Sequence, residues 1–85
     1  MPSPKSAYGP QYVQLGEALQ KLRKAAGLTQ SQLGEGIGFR GNFVSEVERG
    51  NRGLRWSRLL DWLDACGASV HDLADALDAV TDEGR

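Results

Sequence analysis

Few side chains in this sequence are suited to catalysis. The chain has 85 residues and contains one histidine, His71, and one cysteine, Cys66. A catalytic nucleophile needs a neighbouring base, and acid–base catalysis needs a positioned titratable group. No Ser/His/Asp, Cys/His or paired-carboxylate pattern accompanies His71, and Cys66 lies in an apolar helical pattern typical of a core thiol. The sequence therefore predicts a protein that is not an enzyme and that uses no metal or other cofactor.

A second group of polar side chains is suited to recognition by hydrogen bonds. These residues share the solvent side of a predicted helix whose valines turn inward: Arg40, Asn42, Ser45 and Glu46. Arginine can bond guanine O6 and N7, and asparagine can bond adenine N6 and N7, each through two parallel hydrogen bonds. A carboxylate can accept a hydrogen bond from cytosine N4, although nearby phosphates repel it. These four residues are therefore candidates for reading DNA bases in the major groove.

Charged side chains are unevenly distributed along the chain, whose formal net charge is −1. Nine of the ten Lys and Arg residues lie within residues 1–60, together with four acidic side chains. Residues 61–85 contain the other seven acidic side chains, with Arg85 as the remaining basic one. We expect one pole of the molecule to attract phosphate, although an acidic helical end is also typical of a solvated face.

The organisation of the chain indicates one small domain. No apolar run approaches the ~18 residues that span a bilayer, and the first ten residues lack the apolar stretch of a signal peptide. We therefore expect a cytoplasmic protein with no membrane partner. The predicted domain covers residues 12–81, between a disordered N-terminal arm at 1–11 and a disordered tail at 82–85.

Apolar residues at helical spacing predict five short helices. The first covers about 12–26, with an apolar stripe every three or four residues. The second begins near Gln30, after a capping box formed by Thr29 and Gln32. The third begins near Gly41. Glycines that can take a positive φ end the first four helices: Gly27, Gly38, Gly50 and Gly67.

The fourth and fifth helices complete an all-α fold. The apolar stripe of the fourth is Trp56, Leu59, Leu60, Leu63 and Cys66. Ser69 and Asp72 form a second capping box, which starts the fifth helix. The apolar stripe of the fifth is Val70, Leu73, Leu77 and Val80. Because no strand-like alternation occurs, we predict an all-α domain with one modest core.

Residues 30–49 meet the geometric demands of a helix-turn-helix. Two helices that cross steeply need a very small residue at the crossing, here Gly34, and a turn residue with positive φ, here Gly38. From about Leu15 to Leu77 the sequence resembles the phage-repressor family of Xre-type, lambda-repressor-like helix-turn-helix proteins. The matching residues are Leu22, Arg23, Gly27, Leu28, Thr29, Gln30, Leu33, Gly38, Ser45, Glu48, Arg49 and Gly50. The resemblance implies a five-helix lambda-repressor-like DNA-binding domain with the helix-turn-helix at the second and third helices.

The resemblance also implies roles for individual residues. Arg23 and Glu48 are expected to form an ion pair between the first helix and the end of the third. The third helix is expected to read bases with Arg40, Asn42, Ser45 and Glu46. The expected contacts to the DNA backbone are Thr29, Gln30, Phe43, Arg49, Asn51, Arg52 and Arg55. Packing at the core edge is an equal alternative for Phe43, and plain solubility is an alternative for the arginines.

Four positions depart from the family pattern, and one of them, Gly34 in place of the usual alanine, still fits the helix crossing. Gly36 lies on the outer side of the second helix, where it costs roughly 0.5 to 1 kcal/mol relative to alanine. Gly41 stands where the family often has a polar base-reading residue, so one hydrogen-bonding side chain is missing. Glu46 stands where a polar or basic residue is common, and we expect it to sharpen selectivity while lowering affinity.

A single short helix discriminates poorly between DNA sequences. We therefore expect a homodimer that reads two half-sites of a palindromic operator about 34 Å apart. The expected dimer interface is Trp62, Val70, Leu73, Leu77 and Val80. Trp62 lies off the main stripe of the fourth helix, and closing the rim of the monomer core is an equal alternative for it.

The sequence as a whole favours a regulator that binds double-stranded DNA. We predict a sequence-specific transcriptional regulator, and specifically a repressor, because no activating or ligand-sensing domain is recognisable. The alternative is a protein-interaction module, such as an antitoxin that neutralises a toxin or another partner protein with its acidic tail and autoregulates its operon.

Overall fold

Five helices form the described part of the chain. The computed structural model describes residues 9–39 and 41–83. The helices are α1 (Pro10–Ala25), α2 (Gln30–Ile37), α3 (Gly41–Glu48), α4 (Trp56–Ala65) and α5 (Val70–Glu83). No strand occurs within these two ranges, and the prediction of an all-α fold is confirmed.

Two helices are longer than the sequence pattern predicted. α1 begins at Pro10, two residues earlier than expected, because proline at the first helical position has a suitable φ and no N–H to leave unpaired. α5 continues to Glu83 rather than ending at residue 81. Residues 10, 11, 82 and 83 are therefore helical and not parts of disordered ends. The rest of the predicted arm and tail, 1–8 and 84–85, lies outside the described residues.

Both predicted capping boxes are confirmed. The Gln32 N–H donates to Thr29 Oγ1 at 3.0 Å, and the Thr29 N–H donates to Gln32 Oε1 at 2.9 Å. At α5 the Ser69 N–H donates to Asp72 Oδ2 at 2.8 Å, and the Asp72 N–H donates to Ser69 Oγ at 3.1 Å. The bond from the Ser69 N–H holds the pKa of the Asp72 carboxyl below its usual value, so this cap weakens only as the pH falls through that lowered value.

The first four helices end in the same backbone geometry. Each has a glycine with positive φ after its last turn: Gly27, Gly38, Gly50 and Gly67. After α2 the Phe39 N–H donates to the Gly34 carbonyl, and after α3 the Asn51 N–H donates to the Glu46 carbonyl at 2.9 Å. These reversals satisfy the last carbonyls of each helix and turn the chain sharply. They fix the direction in which the chain enters α3 and leaves it.

The core lies between two helix layers. α1 packs against α5 and α3, and α2 packs against α3 and α4. The buried apolar side chains are Ala18, Leu19, Leu33, Ile37, Val44, Val47, Trp62, Leu63, Leu73 and Val80. Each helix contributes at least two of them, so removing any one helix would expose part of the same core.

α4 is rotated relative to the orientation that the sequence pattern predicted. Trp62 is 0% exposed, whereas Trp56 is 62% and Leu60 39% exposed. The inward stripe is Leu59, Trp62, Leu63 and Cys66. Both orientations satisfy helical spacing, and this one buries a whole indole ring with its large apolar area.

The predicted dimer interface is therefore wrong for three of its five residues. Trp62, Leu73 and Val80 lie in the monomer core, where another molecule cannot contact them without unfolding. Leu77 is partly buried against the core, and Val70 is 49% exposed. The stripe of α5 was interpreted as a surface for a second subunit, but α5 uses it to pack against α1.

α1 approaches the backbone of α3 unusually closely at Gly16, a residue that the sequence analysis did not single out. A Cβ atom at Gly16 would lie 2.6 Å from the carbonyl oxygen of Glu48, and closer still to that of Val47. Both obstacles are backbone atoms, so neither can move aside as a side chain would. Only glycine permits this distance between α1 and the C-terminal end of α3.

We expect Gly16→Ala to destabilise the protein by about 1 to 3 kcal/mol or more, because an extra carbon is forced against rigid backbone. Gly36→Ala is the matched control, since its new Cβ would meet only the Ala65 Cβ at 3.7 Å, an ordinary contact. That control should stabilise α2 by roughly 0.5 to 1 kcal/mol. Urea denaturation measures both changes. Equal stability of Gly16→Ala and the unchanged protein would contradict the proposed close approach.

Candidate nucleic-acid interface

A buried ion pair connects α1 to the end of α3. The Arg23 Nε donates to Glu48 Oε2 at 2.6 Å, and Arg23 Nη2 donates to Glu48 Oε1 at 3.2 Å. The two side chains are only 9% and 2% exposed. Arg23 Nη1 also donates to the Leu28 carbonyl at 2.7 Å, so the same guanidinium holds the turn between α1 and α2. The expected ion pair is present, and Arg23 also makes a hydrogen bond to Leu28 that was not expected.

Two glutamine amides complete the surroundings of Glu48. Gln20 Nε2 and Gln30 Nε2 donate to Glu48 Oε1 at 3.3 Å and 3.0 Å. Gln30 was predicted to contact the DNA backbone, and one of its two amide N–H groups is used inside the protein instead. Its position at the start of α2 leaves the other N–H for a phosphate. Gln30 thus ties the N-terminus of α2 to the end of α3.

The outer face of α3 carries the candidate base readers. Asn42 is exposed, and Ser45 and Glu46 are partly exposed, while Val44 and Val47 are buried. This is the division of inner and outer sides that the sequence predicted. The fourth candidate, Arg40, lies outside the described residues.

Arg49 bends back onto α3. Its Nη2 donates to Ser45 Oγ at 2.9 Å and to Glu46 Oε1 at 3.2 Å. The Arg49 and Glu46 side chains are 62% and 42% exposed, and such exposed pairs contribute only about 0 to 1 kcal/mol. Arg49, which was predicted to contact the DNA backbone, is thus bonded to Ser45 and Glu46, which were predicted to read bases. The weakness of the pair allows Arg49 to exchange Glu46 for a stronger anion.

The start of α2 offers a positive helix end beside α3. The Thr29 oxygen accepts the Gln32 N–H as a cap, which leaves the hydroxyl hydrogen able to donate. The first N–H groups of a helix have no partner within the helix, and the helix dipole favours an anion there. This end, which Gln30 ties to Glu48 at the C-terminal end of α3, is therefore suited to an anion such as a phosphate.

The loop after α3 presents further polar side chains. Asn51, Arg52 and Arg55 are exposed, as expected for contacts to a phosphate backbone. Phe43 is different, because its ring stacks on Phe39 with centroids 4.2 Å apart and the guanidinium of Arg52 lies 5.1 Å from its centroid. Both faces of the ring are covered. Packing at the core edge describes Phe43 within the protein, and its expected contact to the DNA backbone stays a prediction.

Sequence reasoning missed two residues of this region. Phe39 follows the turn glycine, and the guanidinium of Arg58 on α4 lies 4.6 Å from the Phe39 ring centroid. The spacing of Phe39 and Phe43 was a possible signal, since residues four apart can meet on one side of a helical path. Arg58 gave no such signal because it belongs to another helix.

The groups considered for catalysis are placed unfavourably for it. Cys66 is half-buried at the end of α4, and burial raises the pKa of its thiol, which disfavours the nucleophilic thiolate. Within residues 9–39 and 41–83 no three His, Cys, Asp or Glu side chains converge as metal ligands. In the same ranges no helix combines the length and apolar character needed to cross a membrane.

Comparisons with known proteins agree with this geometry. Residues 14–82 match the family described as a helix-turn-helix domain. The restriction-modification controller protein C.AhdI from Aeromonas hydrophila is 31% identical, over 76% of this chain and 98% of that chain, with a TM-score of 0.71. Two structures of the clp gene regulator ClgR from Corynebacterium glutamicum are 29% and 27% identical, with TM-scores of 0.78 and 0.81. They cover 89% of this chain in both cases, and 97% and 82% of their own. No curated protein matches the sequence.

We expect Arg23→Ala and Glu48→Ala each to cost about 3 to 5 kcal/mol, because each leaves an uncompensated buried charge. The double variant should cost much less than the two single losses together. The exposed pair Arg58 and Asp61, joined at 3.3 Å, is the control, and its coupling should be about 0 to 1 kcal/mol. Chemical denaturation of both sets of variants gives the two coupling energies. A coupling near zero between Arg23 and Glu48 would show that the pair does not fix the position of α3.

Proposed function

Because the chain belongs to the helix-turn-helix domain family, we propose that it is a sequence-specific DNA-binding regulator of transcription. The observation that carries the proposal is the polar face of α3, held at its C-terminal end by the buried pair of Arg23 and Glu48. The similar proteins C.AhdI and ClgR are named as a controller and a gene regulator. The family and the fold are those of DNA-binding regulators and not of enzymes.

We propose that α3 lies in the major groove and reads base edges with four side chains: Arg40, Asn42, Ser45 and Glu46. Asn42 is the most accessible of the described readers and can bond adenine N6 and N7 together. The Glu46 carboxylate can accept from cytosine N4, although nearby phosphates repel it once Arg49 no longer pairs with it.

The backbone contacts surround this face on two sides. The start of α2 offers the helix end, the Thr29 hydroxyl and the free N–H of the Gln30 amide. The loop after α3 offers Asn51, Arg52 and Arg55, together with Arg49 once it leaves Glu46. Contacts of this kind set the position of a protein on DNA but carry no sequence information directly.

Repression is the mode of regulation that we propose. A domain bound across the major groove excludes other proteins from the same base pairs, so occupancy of a promoter is enough to lower transcription. In vitro transcription from a promoter that overlaps the bound site should fall as protein is added. A rise would identify an activator.

We also propose a homodimer on a palindromic site, with the exposed face of α4 as the interface. Trp56 and Leu60 are one helical turn apart and exposed, although both are large and apolar. In an antiparallel pair of α4 helices centred on Leu60, the N-terminus of one helix lies beside Asp64 of the other. That N-terminus has no side-chain cap, and its positive dipole complements the carboxylate.

Substitutions of base-reading residues and of backbone-contacting residues should change the affinity for DNA in different ways. Asn42→Ala is expected to cost on the order of 1 to 3 kcal/mol on the preferred sequence only, because a bidentate base contact is lost. Arg55→Gln should weaken all sequences alike and flatten the slope of log K against log salt by about 0.9. The measurement is fluorescence anisotropy on a duplex selected from a random pool and on an unselected duplex.

Glu46→Gln has a matched control on α5. Glu46→Gln should strengthen binding to unselected DNA and relax the preference at one base pair, because the carboxylate both repels phosphate and reads a base. Asp78→Asn removes the same charge from an exposed position of α5 and should leave that preference intact. If Asn42→Ala and Glu46→Gln both leave the ratio of specific to non-specific binding unchanged, α3 is not the reading element, and a protein-interaction module becomes the better hypothesis.

Self-association should depend on α4 and not on α5. Trp56→Ala together with Leu60→Ser is expected to shift the protein from dimer to monomer in sedimentation equilibrium at tens of micromolar. Val70→Ala removes exposed apolar surface at the start of α5 and should leave the dimer intact. A monomeric unchanged protein, or a dimer unaffected by the α4 substitutions, would contradict this interface.

A further inference from the structure

Two aromatic rings and two guanidinium groups form a continuous stack beside α3. The rings of Phe39 and Phe43 are 4.2 Å apart and inclined by only 16°. The guanidinium of Arg58 lies 4.6 Å from the Phe39 centroid, and that of Arg52 lies 5.1 Å from the Phe43 centroid. The space between the rings is too narrow for a guanidinium, so the arginines cover the two outer faces. The order of this column is Arg58, Phe39, Phe43, Arg52.

The column connects four successive parts of the chain. Phe39 lies in the turn between α2 and α3, Phe43 in the first turn of α3, Arg52 in the following loop and Arg58 in α4. A guanidinium stacked on a ring uses its face, while its N–H groups lie in the plane and stay available at the edge. The stack therefore restricts the motion of both arginines without consuming their hydrogen-bond donors.

The stacked arginines border a groove that a third arginine completes. Arg52, Arg55 and Arg58 line it together with the two phenylalanine rings. Among the described residues, the acidic side chain hydrogen-bonded to this cluster is Asp61, whose Oδ2 accepts from Arg58 Nη1 at 3.3 Å in a pair about half exposed on each side, and Glu46 lines the adjoining depression with Arg52. Three guanidinium groups around one groove provide more positive charge than this single weak pair neutralises. We name it the arginine groove.

The arginine groove lies next to the face that we propose reads the bases. Phe39, Phe43 and Arg52 also line a second depression, whose other side is formed by Asn42, Glu46 and Asn51. The two depressions therefore adjoin at the residues that they share, which are Phe39, Phe43 and Arg52. The arginine groove is thus a neighbour of the surface that we propose faces the bases.

We propose that the arginine groove binds a phosphate of the DNA backbone, with Arg58 as a direct contact and the Phe39–Phe43 stack as the element that positions it. The inference rests on the proposed DNA-binding function, because the ligand is a phosphate of the same duplex. Guanidinium groups suit this ligand, since their parallel N–H donors match two phosphate oxygens. Arg58 therefore adds a contact beyond the helix-turn-helix and its following loop.

The test compares Arg58→Gln with Asp61→Asn in salt titrations on the selected and the unselected duplex. Arg58→Gln should flatten the slope of log K against log salt by about 0.9 on both duplexes and leave their affinity ratio unchanged. Asp61→Asn removes the ion-pair partner of Arg58 and should leave affinity equal or higher. An unaltered slope for Arg58→Gln, or an equal loss of affinity for Asp61→Asn, would overturn the proposal.

Phe39→Leu tests the positioning role separately. It keeps an apolar side chain but removes the ring face, so the salt slope should flatten and a further Arg58→Gln should add little. Phe39→Tyr keeps the ring face and should restore the original slope. A salt slope that stays unchanged in Phe39→Leu would exclude the positioning role of Phe39. If Phe39→Leu does not fold, the salt slope of Arg58→Gln still tests whether Arg58 contacts a phosphate. Failure of the proposed function is recognised differently, because the unchanged protein would then show no preference for the selected duplex.

Discussion

The position of α3, the helix that we propose faces DNA, depends on one buried carboxylate. Glu48 ends α3 and accepts hydrogen bonds from Arg23 and Gln20 of α1 and from Gln30 of α2. A charge removed from water is costly unless its lone pairs are satisfied, so these donors cannot separate without leaving it exposed to an apolar core. Gly16 makes the arrangement possible, because it lets α1 approach the carbonyls at the end of α3. One charge thereby fixes the relative positions of three helices.

The surface that we propose faces DNA is already partly paired within the protein. Arg49 bonds Ser45 and Glu46, Gln30 bonds Glu48, and Thr29 caps α2. Each of these groups keeps a second donor or acceptor, or makes a bond weak enough to exchange. The side chains therefore have defined directions before contact, which reduces the conformational entropy that binding must remove. The weakest pair, Arg49 with Glu46, is the one whose members have different proposed tasks on DNA.

Local features of the fold were predictable from the sequence, and features set by tertiary packing were not. The capping boxes at Thr29 and Ser69 and the glycine ends depend on a few neighbouring residues, so spacing alone identified them. The orientation of α4 depends on which of two apolar faces meets α2, and spacing allowed either Trp56 or Trp62 to be buried. The stack of Arg52, Phe43, Phe39 and Arg58 joins segments that no local pattern connects. The pair of Arg23 and Glu48 came from family resemblance and not from spacing.

The acidic helix α5 and α3 are both packed against α1. The exposed aspartates of α5 are Asp72, Asp75, Asp78 and Asp82. Because the aspartates are concentrated on α5 and most arginines lie before residue 60, we expect an electric dipole whose basic end carries the surface that we propose faces DNA. In the field of a polyanion such a dipole experiences a torque that turns the basic end inward, so that an inverted approach is repelled before any contact forms. With a formal net charge of only −1, the distribution of charge rather than its total would then govern how such a protein approaches DNA.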